Sequence, residues 1–189
     1  MDAKDIKALH VEVKRRMDQA VEHLRHELAG VRSGRASLGI LDGLTVEYYG
    51  TPTPLSQVAT LSVPESNLIV AQPWEPSLIG PIEKVIRSSD LGLNPANDGK
   101  VVRIPVPPLT EERRKQLSKH VHKLSEDARN SIRQARRDAN DRLKRMLKDR
   151  QISEDDERRA IDEIQKATDG YVKQVDDVQK KKDQELLAH

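Results

Sequence analysis

The stretch from residue 109 to residue 149 contains no Pro and no Gly, and it limits the possible folds of this chain more than any other feature. Apolar side chains recur along it at steps of three or four residues, as they do on one face of an α-helix. They are Leu117, Val121, Leu124, Ala128, Ile132, Ala135, Ala139, Leu143 and Met146. A helix of this length extends ~60 Å at ~1.5 Å per residue. Because so long a helix depends on tertiary packing for its stability, the sequence predicts a bundle around this rod.

Two further segments carry the same periodicity and supply the partners of the rod. Residues 2 to 31 predict a first helix, and the capping-box sequence SEDD at 153–156 predicts the start of a last helix. The short break at 150–152 makes that last helix an antiparallel hairpin with the rod. We expect Gly170 to mark close helix packing, and we expect the lysine-rich tail at 180–183 to be a solvated end.

The middle of the chain has a different composition, since all ten Pro lie between 52 and 108 and eight of nine Gly lie between 30 and 99. Short runs with alternating or β-branched residues predict strands there, around one short amphipathic helix that starts at about residue 78 and ends near Gly92. The predicted strands are 44–49, 59–63, 67–71 and 101–104. The sequence Thr-Pro-Thr-Pro at 51–54 is interpreted as a rigid turn.

These elements predict an α+β protein made of two domains. Residues 1–33 and 109–189 form an elongated three-helix bundle, and residues 34–108 form a small β/α/β domain inserted between the first and second helices. Because only two segments of chain connect the domains, and both contain Gly or Pro, we expect a hinge at these crossings. The predicted hinge residues are Gly34, Arg35, Pro105, Pro107 and Pro108.

Composition narrows the possible functions. Charged residues are 34% of the chain but the net charge is only +2, so any affinity for nucleic acid must come from segregated charge. The chain has no Cys, no apolar run of membrane-spanning length and no apolar signal-peptide core near its N-terminus, so we expect a cytoplasmic protein. With no Phe, one Trp and three Tyr, it has too few aromatic side chains for a reader of single-stranded RNA.

The rod carries segregated charge beside its apolar face. Helical geometry places Arg129, Arg133 and Arg136 on one flank and several Asp residues on the other. Arg133 and Arg136 have no acidic residue three or four positions away, so they either pair with other helices, remain solvated, or bind phosphate. Arg32 and Arg35 at the end of the first helix are equally open to two interpretations, a plain helix end or phosphate binding.

Six blocks of sequence, in order along the chain, carry a family resemblance. They are VRSGRAS (31–37), VEYYGTPTPL (46–55), SDLGLNP (89–95), PLTEERRK (108–115), RQARRDAN (133–140) and LKDRQISEDD (147–156). Together they resemble the bacterial ribosome recycling factors, although the N-terminal segment carries no matching motif. The resemblance implies a three-helix bundle with a hinged β/α/β domain, a shape similar to transfer RNA, and binding across the ribosomal A and P sites.

The resemblance also implies a function. A member of this family would bind the large-subunit rRNA of the post-termination ribosome and, with elongation factor G and GTP, split it into subunits. The implied RNA contacts are Arg129, Arg133, Arg136, Arg32, Arg35 and Arg114. The sequence contains no Gly-rich phosphate loop with Lys, no catalytic triad and no metal cluster, so we expect a monomeric non-enzyme without a cofactor. The competing class is a chaperone-like helical hairpin, which would need exposed apolar surface.

Overall fold

A computed structural model of this chain describes residues 3–187, which fold into two compact units. The bundle comprises the described residues through Val31 and those from Glu111 onward, and the small unit is Arg32–Thr110. The helices are α1 (Ile6–Ala29), α2 (Ile79–Ser88), α3 (Glu111–Lys148) and α4 (Glu154–Leu187). The strands are β1 (Thr45–Tyr48), β2 (Thr51–Pro54), β3 (Ala59–Glu65), β4 (Leu68–Pro73), β5 (Ala96–Asn97) and β6 (Val102–Pro105). The predicted α+β fold, a three-helix bundle with an inserted β/α/β domain, is confirmed.

The bundle is held together by the apolar faces of α1, α3 and α4, each of which packs against the other two. Eight of the nine residues predicted to form the apolar face of the rod are buried, and only Leu124 is half-buried. Its place in the core is taken by Ser125, which is completely buried and whose Oγ donates to the carbonyl of Val121 at 2.8 Å. The bundle core is therefore continuous along the length of α3.

Specific side chains fix where the bundle helices begin. The carboxylate of Asp5 accepts the amide of Ala8 at 2.7 Å and caps α1. At the start of α4, Asp156 N–H donates to Ser153 Oγ and Ser153 N–H donates to Asp156 Oδ2, each at 3.1 Å. These reciprocal bonds are the capping box that the sequence predicts. Arg150, with φ of 57°, turns the chain from α3 toward α4.

Two expectations about α4 are wrong. The segment 180–183 is not a solvated end, because α4 continues to Leu187, Asp183 Oδ2 lies 2.9 Å from His122 Nε2 on α3, and Leu186 is buried. Gly170 does not mark close packing, since it is exposed and a Cβ at that position would have no neighbour within 4 Å. The end of α4 thus packs on the bundle through the buried Leu186 side chain and contacts α3 through Asp183 and His122.

The small unit is built on an antiparallel sheet with strand order β3-β4-β6-β5. The helix α2 packs its buried Ile79, Ile82 and Ile86 into the same apolar core as the inward residues of the sheet. Ile69 and Ile104, paired across β4 and β6, are both fully buried in that core. The unit therefore has an apolar core of its own, separate from that of the bundle.

The expected rigid turn at 51–54 is instead β2, which pairs antiparallel with β1. The turn is Tyr49-Gly50, and both residues have positive φ, 48° and 78°, as a two-residue hairpin turn of type I′ requires. Pro52 and Pro54 are two residues apart, so their nitrogens point to the same side of the strand. Because β2 pairs only with β1, that side can face away from the ladder, as Pro needs.

Within residues 3–187, no helix is both long enough and apolar enough to cross a membrane.

Candidate nucleic-acid interface

The basic flank of the bundle is formed by Arg129, Arg133 and Arg136, which lie along α3 where it faces α4. Steps of four and three residues bring the three guanidinium groups onto one side of the helix over about two turns. Their surroundings differ, and the differences decide how much of each guanidinium can reach a ligand.

Arg129 is engaged in a network of contacts within the bundle. Its Nη2 donates to Asp176 Oδ1 at 2.6 Å and to Gln179 Oε1 at 2.7 Å, both on α4, and its Nη1 donates to Glu126 Oε2 at 3.2 Å. The side chain is only 16% exposed. Arg129 therefore makes the cross-helix pairing that the sequence left open. Its guanidinium joins α3 to α4 and is little exposed to solvent.

Arg133 and Arg136 are more open. Arg133 is 41% exposed and pairs with Glu126, two helical turns earlier, at 3.1 Å. Arg136 is half-buried, and its Nη1 donates to Gln165 Oε1 of α4 at 3.3 Å, a neutral partner. Gln165 is itself held by its donation to Asp169 Oδ1 at 2.8 Å. A long bond to an amide does not neutralise the charge of Arg136, so this guanidinium keeps its capacity to bind an anion.

On the acidic flank of α3, Asp138 stabilises the packing of α3 against α1. Arg16 of α1 donates to Asp138 Oδ2 at 2.8 Å, and Gln134 donates to the other carboxylate oxygen at 2.8 Å. These hydrogen bonds lower the pKa of Asp138 below its ordinary value of 3.8, and the bond from Arg16 has the larger effect. On this flank Asp138 therefore joins α3 to α1 through Arg16, whereas on the basic flank Arg129 joins α3 to α4 through Asp176.

The remaining predicted RNA contacts lie elsewhere. Arg114 is half-buried in the first turns of α3, about 22 Å along the helix axis from Arg129 at ~1.5 Å per residue. Arg32 and Arg35 belong to the small unit, not to the bundle. Arg32 donates to the carbonyl of Leu91 at 2.9 Å, whereas Arg35 is exposed. The structure thus brings three of the six predicted arginines together on one flank.

The residues predicted to form a hinge are partly fixed within the small unit. Gly34 is buried with φ of 81°, and a Cβ there would lie 3.0 Å from Cγ of Leu109, so the two connecting segments contact each other. Pro105 is the last residue of β6, and Val106 N–H donates to the carbonyl of Asn67 at 2.7 Å. Pro107 and Pro108 lie in the segment without regular structure that follows.

The described residues include no group of three His, Asp or Glu side chains placed to hold a metal ion.

Sequence comparison matches this chain to one family over most of its length. The sequence model of the ribosome recycling factor family matches residues 24–187. The ribosome-recycling factor of Desulfotalea psychrophila (strain LSv54) is 57% identical over 146 residues, which are 77% of this chain and 79% of that protein. The ribosome-recycling factor of Desulfatibacillum aliphaticivorans is 53% identical over 150 residues, covering 79% of this chain and 81% of the relative.

Solved structures agree with the sequence comparison. A solution structure of a ribosome recycling factor superposes with a TM-score of 0.79 and 39% identity, covering 98% of this chain and 99% of that one. A second similar structure comes from models for the T. thermophilus ribosome recycling factor and the E. coli elongation factor G bound to the E. coli post-termination complex. It gives a TM-score of 0.63 at 46% identity, covering 96% of this chain and 98% of that chain. This chain belongs to the ribosome recycling factor family.

Proposed function

We propose that this chain binds the post-termination ribosome through phosphates of the large-subunit rRNA and, with elongation factor G and GTP, splits the ribosome into subunits. Messenger RNA and transfer RNA are thereby released for a new round of translation. The observation that carries this proposal is the correspondence, over 96% of this chain, with a ribosome recycling factor bound with elongation factor G to a post-termination complex. Like other members of its family, this chain is a translation factor and not an enzyme.

The RNA-binding surface in this proposal is the basic flank of α3. Arg136, whose described partner is the neutral Gln165, provides the principal phosphate contact, and Arg133, which is 41% exposed and has Glu126 as its described carboxylate partner, provides the next. Arg129 contributes mainly by holding α4 beside the flank through Asp176 and Gln179. Arg114, Arg32 and Arg35 are secondary contacts, as the family resemblance implies.

The small unit receives the force that splits the ribosome, while the bundle remains on the rRNA. The charges of the units favour this division of labour, because the bundle carries the basic flank and the small unit has six Lys and Arg against seven Asp and Glu, a net charge of −1. We place the hinge at Gly34, Arg35, Pro107 and Pro108. Pro105 contributes less to it, because it lies within β6.

The energy for splitting comes from the partner. The chain contains no Gly-rich phosphate-binding loop followed by Lys, so the GTP cycle belongs to elongation factor G. A monomer in the cytoplasm, the compartment of the ribosome, suits this task.

The alternative, a chaperone-like helical hairpin, gains little support from the surface. Among the described residues of the bundle, the exposed large apolar side chains are Val11 and Leu187, at opposite ends of the three-helix unit. A client-binding chaperone needs a contiguous apolar surface, which two separated side chains do not provide.

A light-scattering experiment tests the proposed function. Post-termination ribosomes are mixed with this protein, elongation factor G and GTP, and subunit dissociation is followed as a fall in scattering. We expect dissociation only when all three components are present. Dissociation that proceeds equally well without this protein, or none at all with it, would refute the proposal. A chaperone would bind unfolded clients without requiring ribosomes.

A further inference from the structure

Three of the four Tyr and Trp side chains of this chain belong to the small unit. Tyr49, at the tip of the β1–β2 hairpin, is 83% exposed, and Trp74, just beyond β4, is 65% exposed. Tyr48 lies between the core and the surface, with its ring packed edge to face on Tyr49 at 4.6 Å between centroids. The fourth, Tyr171, is in the bundle. A chain with so few aromatics thus carries most of them on its small unit.

Hydrogen bonds orient the side chains of Tyr48 and Trp74, and Tyr49 packs on the ring of Tyr48. Tyr48 Oη donates to Glu75 Oε1 at 2.6 Å, an interaction that raises the pKa of Tyr48 to about 12. Trp74, the neighbour of Glu75 in sequence, donates from Nε1 to Thr60 Oγ1 at 3.3 Å. Because these rings are oriented before any partner arrives, binding costs little conformational entropy. The group is preorganised for contact with another molecule.

Neither burial nor backbone preference explains Tyr49. Its φ of 48° lies in the left-handed region, which a bulky residue occupies only with strain and which Asn or Gly occupies readily. Its ring is exposed and so gains little from burial. A strained backbone position that carries an exposed aromatic side chain indicates a function outside the fold.

The sequence segment that carries these rings disfavours phosphate as a partner. Residues 36–83, which include both tyrosines and Trp74, contain five Asp and Glu but no Lys, Arg or His, in a chain with 33 Lys and Arg. Arg103 of β6 lies two strands from the edge strand β3 and is paired with Asp98 at 2.7 Å. A protein that stacks bases of single-stranded RNA needs a cationic groove along the backbone, and this segment supplies carboxylates instead.

We propose that Tyr48, Tyr49, Trp74 and Glu75 form a docking surface, the aromatic patch, for a cationic protein surface within the post-termination complex. This inference rests on the proposed function, since it supplies the contact through which the small unit is engaged. The exposed rings of Tyr49 and Trp74 accept Arg or Lys side chains by cation–π contact. Glu75, which keeps acceptor capacity beyond its bond to Tyr48, pairs with a second cation.

Site-specific cross-linking identifies the class of partner. The photoreactive residue p-benzoylphenylalanine is placed at position 49, and at the exposed position 100 of the same unit as a matched control. Each protein is irradiated with post-termination ribosomes, elongation factor G and a non-hydrolysable GTP analogue. We expect position 49, and not position 100, to cross-link to protein. Cross-links mainly to rRNA, cross-links to a second copy of this chain, or a yield no higher than the control would each overturn the proposal.

Substitution tests the chemistry of the patch. The double variant Tyr49→Ala, Trp74→Ala should reduce the rate of subunit splitting about tenfold or more, as loss of a pair of aromatic anchors does at protein interfaces. Tyr49→Phe, which keeps the ring, should retain most of the rate. Glu75→Gln, which still accepts from Tyr48 Oη, should slow splitting and weaken its dependence on salt. The melting temperature of each variant should stay close to that of the wild type. The affinity for isolated large subunits, which the bundle binds, should remain within twofold.

The two proposals fail separately. If the wild-type protein does not split ribosomes, the proposed function fails. The cross-linking experiment then still tests whether the aromatic patch binds protein. If the wild-type protein splits ribosomes and the double variant does so at the same rate, only the aromatic patch is refuted.

Discussion

Arg129 of α3 and Asp176 of α4 form a short ion pair, with 2.6 Å between Nη2 and Oδ1, across 47 residues of sequence. The same guanidinium contacts Gln179 of α4 and Glu126 of its own helix. This network separates the three arginines of the basic flank into one that fixes the geometry of two helices and two that retain donors for a ligand.

Arg129→Ala should destabilise the bundle. The side chain is 16% exposed, so its bonds to Asp176 and Gln179 are only partly screened. Although Ala is a better helix former, we expect a net loss of ~1 kcal/mol in the free energy of unfolding, which lowers the melting temperature by roughly 2–4 °C. Arg145→Ala, at an exposed position of the same helix, is the control. Equal melting temperatures for the two variants would show that the network is not stabilising.

Leu186→Ala should destabilise the bundle, whereas Leu187→Ala should not. Leu186 is 1% exposed and Leu187 is 69% exposed, although they are neighbours at the end of α4. We expect a cost of ~2 kcal/mol for Leu186, the low end for a buried Leu because a site at a helix end can relax. For Leu187 we expect a change within about 0.5 kcal/mol. Chemical denaturation measures both values, and a neutral Leu186→Ala would mean that the end of α4 is frayed in solution.

Tyr49→Asn should leave stability close to that of the wild type. Asn-Gly is the preferred sequence for a type I′ turn, so the substitution relieves about 1 kcal/mol of backbone strain. It also removes the edge-to-face contact with Tyr48, which is worth about the same at an exposed site. Because these effects oppose each other, we expect a melting temperature within ~2 °C of wild type or slightly above it. A large decrease would assign Tyr49 a structural role and weaken the argument for the aromatic patch.

Asp138→Asn should change how stability depends on pH. The hydrogen bonds from Arg16 and Gln134 lower the pKa of Asp138 in the folded state below its ordinary 3.8. A lowered folded-state pKa contributes stability above the ordinary value, and that contribution is lost as the pH falls through the folded-state value. The wild type should therefore exceed Asp138→Asn by ~1 kcal/mol or less near neutral pH, after allowance for partial exposure.

This stability difference should shrink as the pH falls below 3.8, the ordinary pKa of Asp. Asp141→Asn, which changes an exposed carboxylate of the same helix, is the control and should show no such trend. A difference between the wild type and Asp138→Asn that is independent of pH down to the acid transition would contradict the assignment.

The periodicity of the sequence predicted the long helices, because apolar residues at helical spacing along so long a segment must be buried against other helices. It placed Leu124 in that face, whereas the structure buries Ser125. Polarity alone gives no indication of this exchange, since the Ser125 hydroxyl is satisfied by the Val121 carbonyl within its own helix. The hairpin strand β2 was missed for a similar reason, because two Pro in four residues are compatible with a strand only when no second strand pairs with it.

The basic flank was visible in the sequence, but the state of each arginine was not. Helical spacing places Arg129, Arg133 and Arg136 together without revealing which side chains of α4 oppose them. That opposition depends on the length of the turn and the relative rotation of α3 and α4. Counting equal lengths on either side of Arg150 places residues near 171 beside Arg129, so the pairing with Asp176 required coordinates.

Arg136 offers the decisive test of whether the basic flank of α3 binds rRNA phosphate. Ribosome affinity and thermal unfolding are measured for Arg136→Ala and Arg145→Ala at two salt concentrations. We expect Arg136→Ala to fold normally, because its described contact is a 3.3 Å bond to Gln165. Its binding should weaken by ~1–3 kcal/mol, and the slope of log affinity against log salt should flatten by roughly 0.7–0.9, about one phosphate contact. Equal losses of affinity in the two variants, or a loss that follows a lowered melting temperature, would contradict phosphate binding by this flank.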